Sequence, residues 1–235
     1  MSYDIISNET KIRLIKDIKQ VIKEDISKDG IYYIHDETDI LTGYALIIGP
    51  PDTPYEYGNF LFKFKFPNDY PYSPPQVSYL TNDGKTRFHP NLYKNEKVCL
   101  SVLNTWRGEG WTSCQNIKSI LLILQSILDN KPLCHEPGIT EKHADLQKYN
   151  DIIKYRTIDI AIVRTLNKDI YPEITEMFWN KILENFINNY DKILKSFPIE
   201  YPLELSTGVY SLSAKLNYNS KKDSLKKIYK KYKNK

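Results

Sequence analysis

The chain has 235 residues, 41% hydrophobic and 13% aromatic, enough for a packed core, which excludes a disordered protein. That length fits one large domain or one domain with an extension. Net charge is +4, but residues 221–235 hold eight Lys against one Asp, and without them the body carries −3, so the tail is a basic appendage on a near-neutral chain. From Asn8, the expected N-cap, a helical period runs through Ile15, Ile18, Ile22 and Ile26 with Arg13, Lys16, Lys19 and Lys23 between them; Asp29-Gly30 ends the segment.

The period then switches to two. "IYYIHDE" and "LTGYALIIG" read as paired strands. In "NFLFKFKF", Phe60, Phe62, Phe64 and Phe66 share one face while Lys63 and Lys65 point the other way. "QVSYLT" is a fourth strand, and the prolines of "GPPDTPYEYG" and "PNDYPYSPP" force turns between strands. After an irregular stretch with Trp106 and Trp111, "CQNIKSILLILQSILDN" reads as a buried helix ended by Pro132, with Ile117, Ile120, Leu121, Leu124 and Leu128 on its main face. Helices are predicted over 142–167 and 173–186, then a Pro-bearing linker over 197–208. The tail reads as solvated, because like-charge runs repel. Its alternative is a docking helix for an acidic surface or anionic lipid, with Leu225, Ile228, Tyr229 and Tyr232 on one stripe. The fold class is α+β: an N-terminal helix, a four-stranded antiparallel meander, an active-site loop, a central helix and C-terminal helices. The boundaries fall at 8–168 for the core, 169–220 for a helical extension and 221–235 for the basic tail.

Three cysteines, Cys99, Cys114 and Cys134, fit a reducing compartment better than a disulfide framework. No C-x-x-C spacing occurs and the histidines are scattered, so no metal site is expected. The N-terminus lacks the apolar segment of a signal peptide, and no apolar run approaches the roughly 18 residues of a membrane span. The default is a cytoplasmic protein, with the nucleus as the alternative. No Gly-rich phosphate loop is present, and no cofactor or nucleic acid is expected.

Cys99 stands apart from the other two. It follows the turn of His89-Pro90-Asn91 by a polar segment, "LYKNEKV", in which Lys94 and Lys97 place positive charge. Asn91 offers a neutral amide donor that can stabilise an oxyanion without competing as a base. A thiol needs less base assistance than a hydroxyl, so the grouping points to acyl transfer onto sulfur. The residues alone stop at a thiol acyl carrier.

The order "GPPDTPYEYGNFLFKFKFPNDYPYSPPQVSYLT", "HPN", a cysteine eight residues after Asn91, a tryptophan and an apolar helix resembles the ubiquitin-conjugating enzyme family from Arg13 to about Pro137. "NLYKNEKVCLSVLNTWRGEGWTS", "ILQSILDN" and "HEPG" resemble its large, C-terminally extended branch, whose members carry ubiquitin and, in some cases, a tandem-domain ubiquitin-like modifier. The resemblance implies that Cys99 is exposed, accepts the modifier as a thioester from an activating enzyme that consumes ATP, and passes it to a substrate lysine or a ligase. It implies an oxyanion or loop-holding role for Asn91, a structural one for His89 and packing beside the thioester for Tyr93. In place of the Asp or Ser that gates the cysteine in many members, "DNKPLCHEPG" offers His135, with Asp129 as its rival. Tyr72 matches the ligase-binding aromatic; Ser113 and Cys114 stand where a Pro-Ala pair is usual. Arg13 and Lys16 match basic positions that face the activating enzyme. Two other classes compete: a non-catalytic binding module, which would lack the cysteine, and a papain-like thiol hydrolase, which needs a His base beside the sulfur.

Overall fold

The computed structural model describes residues 6–233. Helix α1 (Asn8–Lys23) is capped by Ser7, one residue before the expected cap, with its hydroxyl accepting from the Thr10 N–H at 3.0 Å. Its buried face also lies one step round from the isoleucine stripe. Thr10, Leu14, Asp17 and Val21 are buried, while Ile15 is exposed and Ile22 is 71% exposed. Asp17 is the reason. Its carboxylate accepts from the Tyr70 hydroxyl at 2.5 Å and from Arg13 Nε at 2.9 Å, and these bonds let a charged residue turn inward.

Strands β1 (Ile31–His35), β2 (Thr42–Ile48), β3 (Asn59–Lys65) and β4 (Gln76–Tyr79) form the antiparallel meander in sequential order. The phenylalanines of β3 face the core, and Lys63 and Lys65 face out, as the alternation requires. One continuous core joins them to Leu14 and Val21 of α1 and to Ile117, Ile120, Leu121 and Leu124 of α2 (Ile117–Ser126). Asn116 and Ser119 cap α2 reciprocally. The helix ends at Ser126, short of Pro132, which instead opens a 3₁₀ turn, Pro132–His135.

The helix predicted over 142–167 is α3 (Leu146–Arg156) running into a π-helical stretch, Thr157–Arg164. The carbonyl of Ala161 accepts from Asn59 Nδ2 at 2.9 Å, and Asn185 Nδ2 donates to Asn59 Oδ1 at 3.2 Å. These bonds cover the start of the outer face of β3, so Asn59 and Leu61 are buried there although Lys63 and Lys65 on the same side are not. The helix predicted over 173–186 is two, α4 (Pro172–Met177) and α5 (Trp179–Lys195). The linker opens a small hairpin, β5 (Glu204–Ser206) and β6 (Ser213–Lys215).

The solvated reading of the tail is corrected for its described part; Asn234 and Lys235 lie outside the described residues. Helix α6 (Tyr218–Tyr232) buries Leu225 and Ile228, stacks Tyr229 on Tyr190 with centroids 3.8 Å apart, and places Tyr232 against Trp179. Lys221 pairs with Asp159 at 2.5 Å. Apolar burial on one stripe outweighs lysine repulsion, because the other lysines of the described part point to solvent. No helix among the described residues is long and apolar enough to cross a membrane. Leu225→Ala should therefore cost about 2–4 kcal/mol and lower Tm by roughly 5–15 °C in thermal melts. A Tm unchanged within error would show that α6 does not hold the extension in place.

Candidate active site

Residues 91–99 form a tight hairpin on the edge of β4. Leu92 bridges Val98, the Tyr93 N–H donates to Lys97 O at 2.9 Å, and Tyr79 N–H donates to Glu96 O at 2.8 Å. Glu96 makes the turn in the left-handed region at φ 70°. At the foot of the hairpin, Asn91 and Cys99 face each other. The Cys99 N–H donates to Asn91 O at 2.9 Å, and Asn91 Nδ2 donates to Cys99 O at 2.5 Å. The eight-residue spacing is thus a cross-strand pairing.

Cys99 is 2% exposed, which corrects the expectation of an exposed loop thiol. It lies between buried Val98 and Leu100, and Thr105 folds the following chain back by accepting from Leu100 N–H and donating to Val98 O. Cys114 is exposed and Cys134 is half-buried. Among the described residues no group of His, Cys, Asp and Glu could hold a metal.

His89 is fully buried. Its Nδ1 accepts from the Asn91 N–H at 3.0 Å, which assigns the ring hydrogen to Nε2, an atom with no hydrogen-bond partner. Burial, and then the neighbouring His135, push its pKa well below the ordinary value, so the ring stays neutral. The rings of His89 and His135 lie 4.7 Å apart. His135 Nε2 and Asp129 Oδ2 are 2.8 Å apart, so the two rivals for the gating place form a pair. Burial raises the Asp129 pKa, but the His135 bond and the Lys131 N–H together outweigh it and hold the carboxyl below its usual value. An ionised Asp129 accepts from Nε2 and so orients the His135 ring.

Tyr93 carries the Arg87 guanidinium 3.3 Å above its ring. Arg13, besides Asp17, donates to the carbonyls of Ser113 at 2.6 Å and Gln115 at 2.5 Å, so it ties α1 to the loop that bears Ser113 and Cys114. Trp111 Nε1 ties that loop to Pro71 O at 2.7 Å, and exposed Tyr72 donates to Glu9 of α1 at 2.6 Å. Arg13, Tyr72, Ser113 and Cys114 therefore belong to one bonded surface. Lys16 is exposed on α1.

Four residues were missed from the sequence. Arg87 donates to His89 O at 3.2 Å and to Pro90 O at 2.5 Å, and its guanidinium sits 4.9 Å from the centre of the Tyr210 ring. Tyr149 donates to Arg87 O at 2.7 Å. Tyr210 donates to Glu136, next to His135, and Tyr171 donates to Glu96 in the hairpin turn. That bond, with burial, pushes the Tyr171 hydroxyl up to about 12. Tyr171 and Tyr210 adopt left-handed φ of 37° and 61°, a conformation that costs a non-glycine residue on the order of 1–3 kcal/mol. Only Arg87, two residues before His89, had a readable position; the tyrosines lie far away in sequence.

The description "Ubiquitin-conjugating enzyme" matches residues 13–158. The chain is similar to "Ubiquitin-conjugating enzyme E2 Z" of Xenopus tropicalis, 38% identical over 193 residues, covering 80% of this chain and 61% of the relative. It is 44% identical over 154 residues to the Homo sapiens protein of that name, covering 64% of this chain and 43% of the relative. The Arabidopsis thaliana "Protein PEROXIN-4" is 33% identical over 149 residues, covering 63% of this chain and 92% of the relative. The chain thus spans about half the length of the E2 Z relatives and nearly all of the plant protein's. With the meander, the hairpin cysteine and the paired asparagine in place, the chain belongs to the ubiquitin-conjugating enzyme family.

Proposed function

We propose that this chain accepts ubiquitin or a ubiquitin-like protein as a thioester on Cys99 from an activating enzyme, and passes it to a substrate lysine or a ligase. The observation that carries the reading is the reciprocal Asn91–Cys99 pair in a chain of this family. Cys99 Sγ attacks the carbonyl carbon of the incoming thioester, and the activating enzyme's thiolate leaves. A lysine amine then attacks the same carbon. The tetrahedral oxyanion forms, accepts a hydrogen bond from the second N–H of Asn91, and collapses with loss of the Cys99 thiolate. His135, oriented by Asp129, takes the proton from the attacking amine through Nδ1. His89 holds the Asn91 backbone, and the Arg87–Tyr93 stack packs beside the hairpin.

In this reading residues 8–168 carry the conjugating core, 169–220 the helical extension and 221–235 the basic tail. Similarity to the E2 Z proteins over up to 80% of the chain supports a place in the large, extended branch. Arg13 and Lys16 serve the activating enzyme, and Tyr72, Ser113 and Cys114 serve a ligase. The outward lysines of α6 suit an acidic surface on a partner. The reducing compartment is cytoplasmic or nuclear.

Cys99→Ser should abolish the reductant-labile adduct, with any oxyester resisting thiol, while Cys134→Ser still charges on a non-reducing gel. A reductant-sensitive adduct on Cys99→Ser would sink the assignment. Asn91→Ala should slow discharge to free lysine by about a hundredfold while charging stays near normal, if the amide serves the oxyanion. A parallel loss of charging, discharge and Tm would assign it to the loop alone. His135→Ala should slow discharge by roughly tenfold to a hundredfold. That deficit should narrow as pH climbs towards the ordinary lysine value of about 10.4, where the amine no longer needs a base. A deficit constant across pH would remove His135 from proton transfer.

A further inference from the structure

The C-terminal hairpin sends Tyr210 onto Arg87 and Glu136, and the segment before α4 sends Tyr171 onto Glu96 of the active-site hairpin. Tyr210 and Tyr171 sit in left-handed backbone, and so does Glu96, which Tyr171 engages. Ser211, beside Tyr210, is left-handed as well, at φ 47°. The β5–β6 turn is anchored by Val209 N–H donating to Asp145 Oδ2 at 3.0 Å, so the placement of Tyr210 is built in rather than a result of a loose loop. Two adjacent non-glycine residues persist in that region only when the surroundings over-determine them. What they gain is one contact set: the Tyr210 ring on the Arg87 guanidinium and the Tyr210 hydroxyl on Glu136.

The Arg87 guanidinium lies 3.3 Å from the centre of the Tyr93 ring and 4.9 Å from that of Tyr210, and its N–H groups hold the carbonyls of His89 and Pro90. Those carbonyls belong to the residues just before Asn91. Glu136 follows His135 directly. We propose that Tyr210 and Arg87 are positioning residues: Tyr210 presses Arg87 onto Tyr93, which fixes the 89–91 turn and the Asn91–Cys99 pair, and its hydroxyl fixes the turn that bears His135. A part of the chain outside the matched residues 13–158 thus sets the geometry about the thiol. Arg87 is well suited to this, because a planar guanidinium stacks on two rings while its edge still donates.

The kinetic side of this proposal rests on the conjugation reading above; the accessibility of the thiol does not. The full chain and its variants Tyr210→Ala, Tyr210→Phe and Arg87→Lys are treated with iodoacetamide, well below their melting temperatures. Alkylation of Cys99, Cys114 and Cys134 is followed separately by peptide mass spectrometry. Tyr210→Ala should speed Cys99 alkylation about fivefold, because the hairpin opens more often, with Cys114 and Cys134 unchanged. It should lower the maximal rate of lysine discharge by roughly tenfold, with half-saturating lysine unchanged, because the reacting groups are misplaced and not unbound. Tyr210→Phe, which keeps the ring on Arg87, should return Cys99 alkylation to wild type, and Arg87→Lys should behave as Tyr210→Ala. Unchanged Cys99 alkylation in both Tyr210→Ala and Arg87→Lys would overturn the proposal. So would acceleration of all three cysteines together, or failure of Tyr210→Phe to rescue. If the wild-type chain forms no thioester with any modifier, the conjugation reading falls, and the alkylation series alone still decides the clamp.

Discussion

The side-chain amide of Asn59 is fully buried and must find its partners inside the protein, and the Ala161 carbonyl is one of them. Leaving such a group buried and unpaired costs on the order of 1–3 kcal/mol. The bond joins the π-helical stretch to the first residue of β3, and Asn185 of α5 closes the set by donating to Asn59. Sheet, π-helix and α5 are thereby fixed against one another. The rest of the extension inherits its place from these three. Phe178 links α4 to α5, α6 packs along α5 through the Tyr190–Tyr229 stack, and Asp145 at the start of α3 holds the β5–β6 turn. From this extension Tyr171 reaches Glu96 of the active-site hairpin, and Tyr210 reaches Arg87 and Glu136.

Local chemistry was legible in the sequence. The Phe-Lys alternation of β3 is a period-two signal that a half-buried strand cannot hide, and the apolar face of α2 is read from its period in the same way. The eight-residue spacing of Asn91 and Cys99 was visible because both lie in one hairpin, but not the bonds that pair them. What failed had non-local causes. The inward face of α1 is set by Tyr70, fifty-three residues from Asp17 along the chain, so hydrophobicity alone misplaced Ile15 and Ile22. Cys99 looked like a loop residue because Thr105, which folds the chain over it, gives no signal of its own. Arg87 and Tyr210 are separated by every element from α2 to β5, and no periodicity joins them. Asp129 and His135, read as rivals, turned out to be partners, since a six-residue separation across a 3₁₀ turn brings them together.

The basic tail shows how one segment satisfies two demands at once. Its apolar stripe is spent on α5 and the π-helix, and Lys221 is drawn inward by Asp159, which also pairs with Arg156. The other lysines of α6 are held on a helix at fixed spacing. A charge array of that kind presents its potential in one direction, whereas a flexible chain averages it.

The burial of Cys99 also bears on oxidative chemistry. Sulfenic acid formation follows access of peroxide to a thiolate. Cys114, exposed on the loop that Arg13 supports, meets an oxidant before Cys99 does. A thiol that is 2% exposed is shielded from small oxidants in solution, and so from the irreversible steps to sulfinic and sulfonic acid. In the conjugation reaction proposed above, that shielding would keep the nucleophile intact between turnovers.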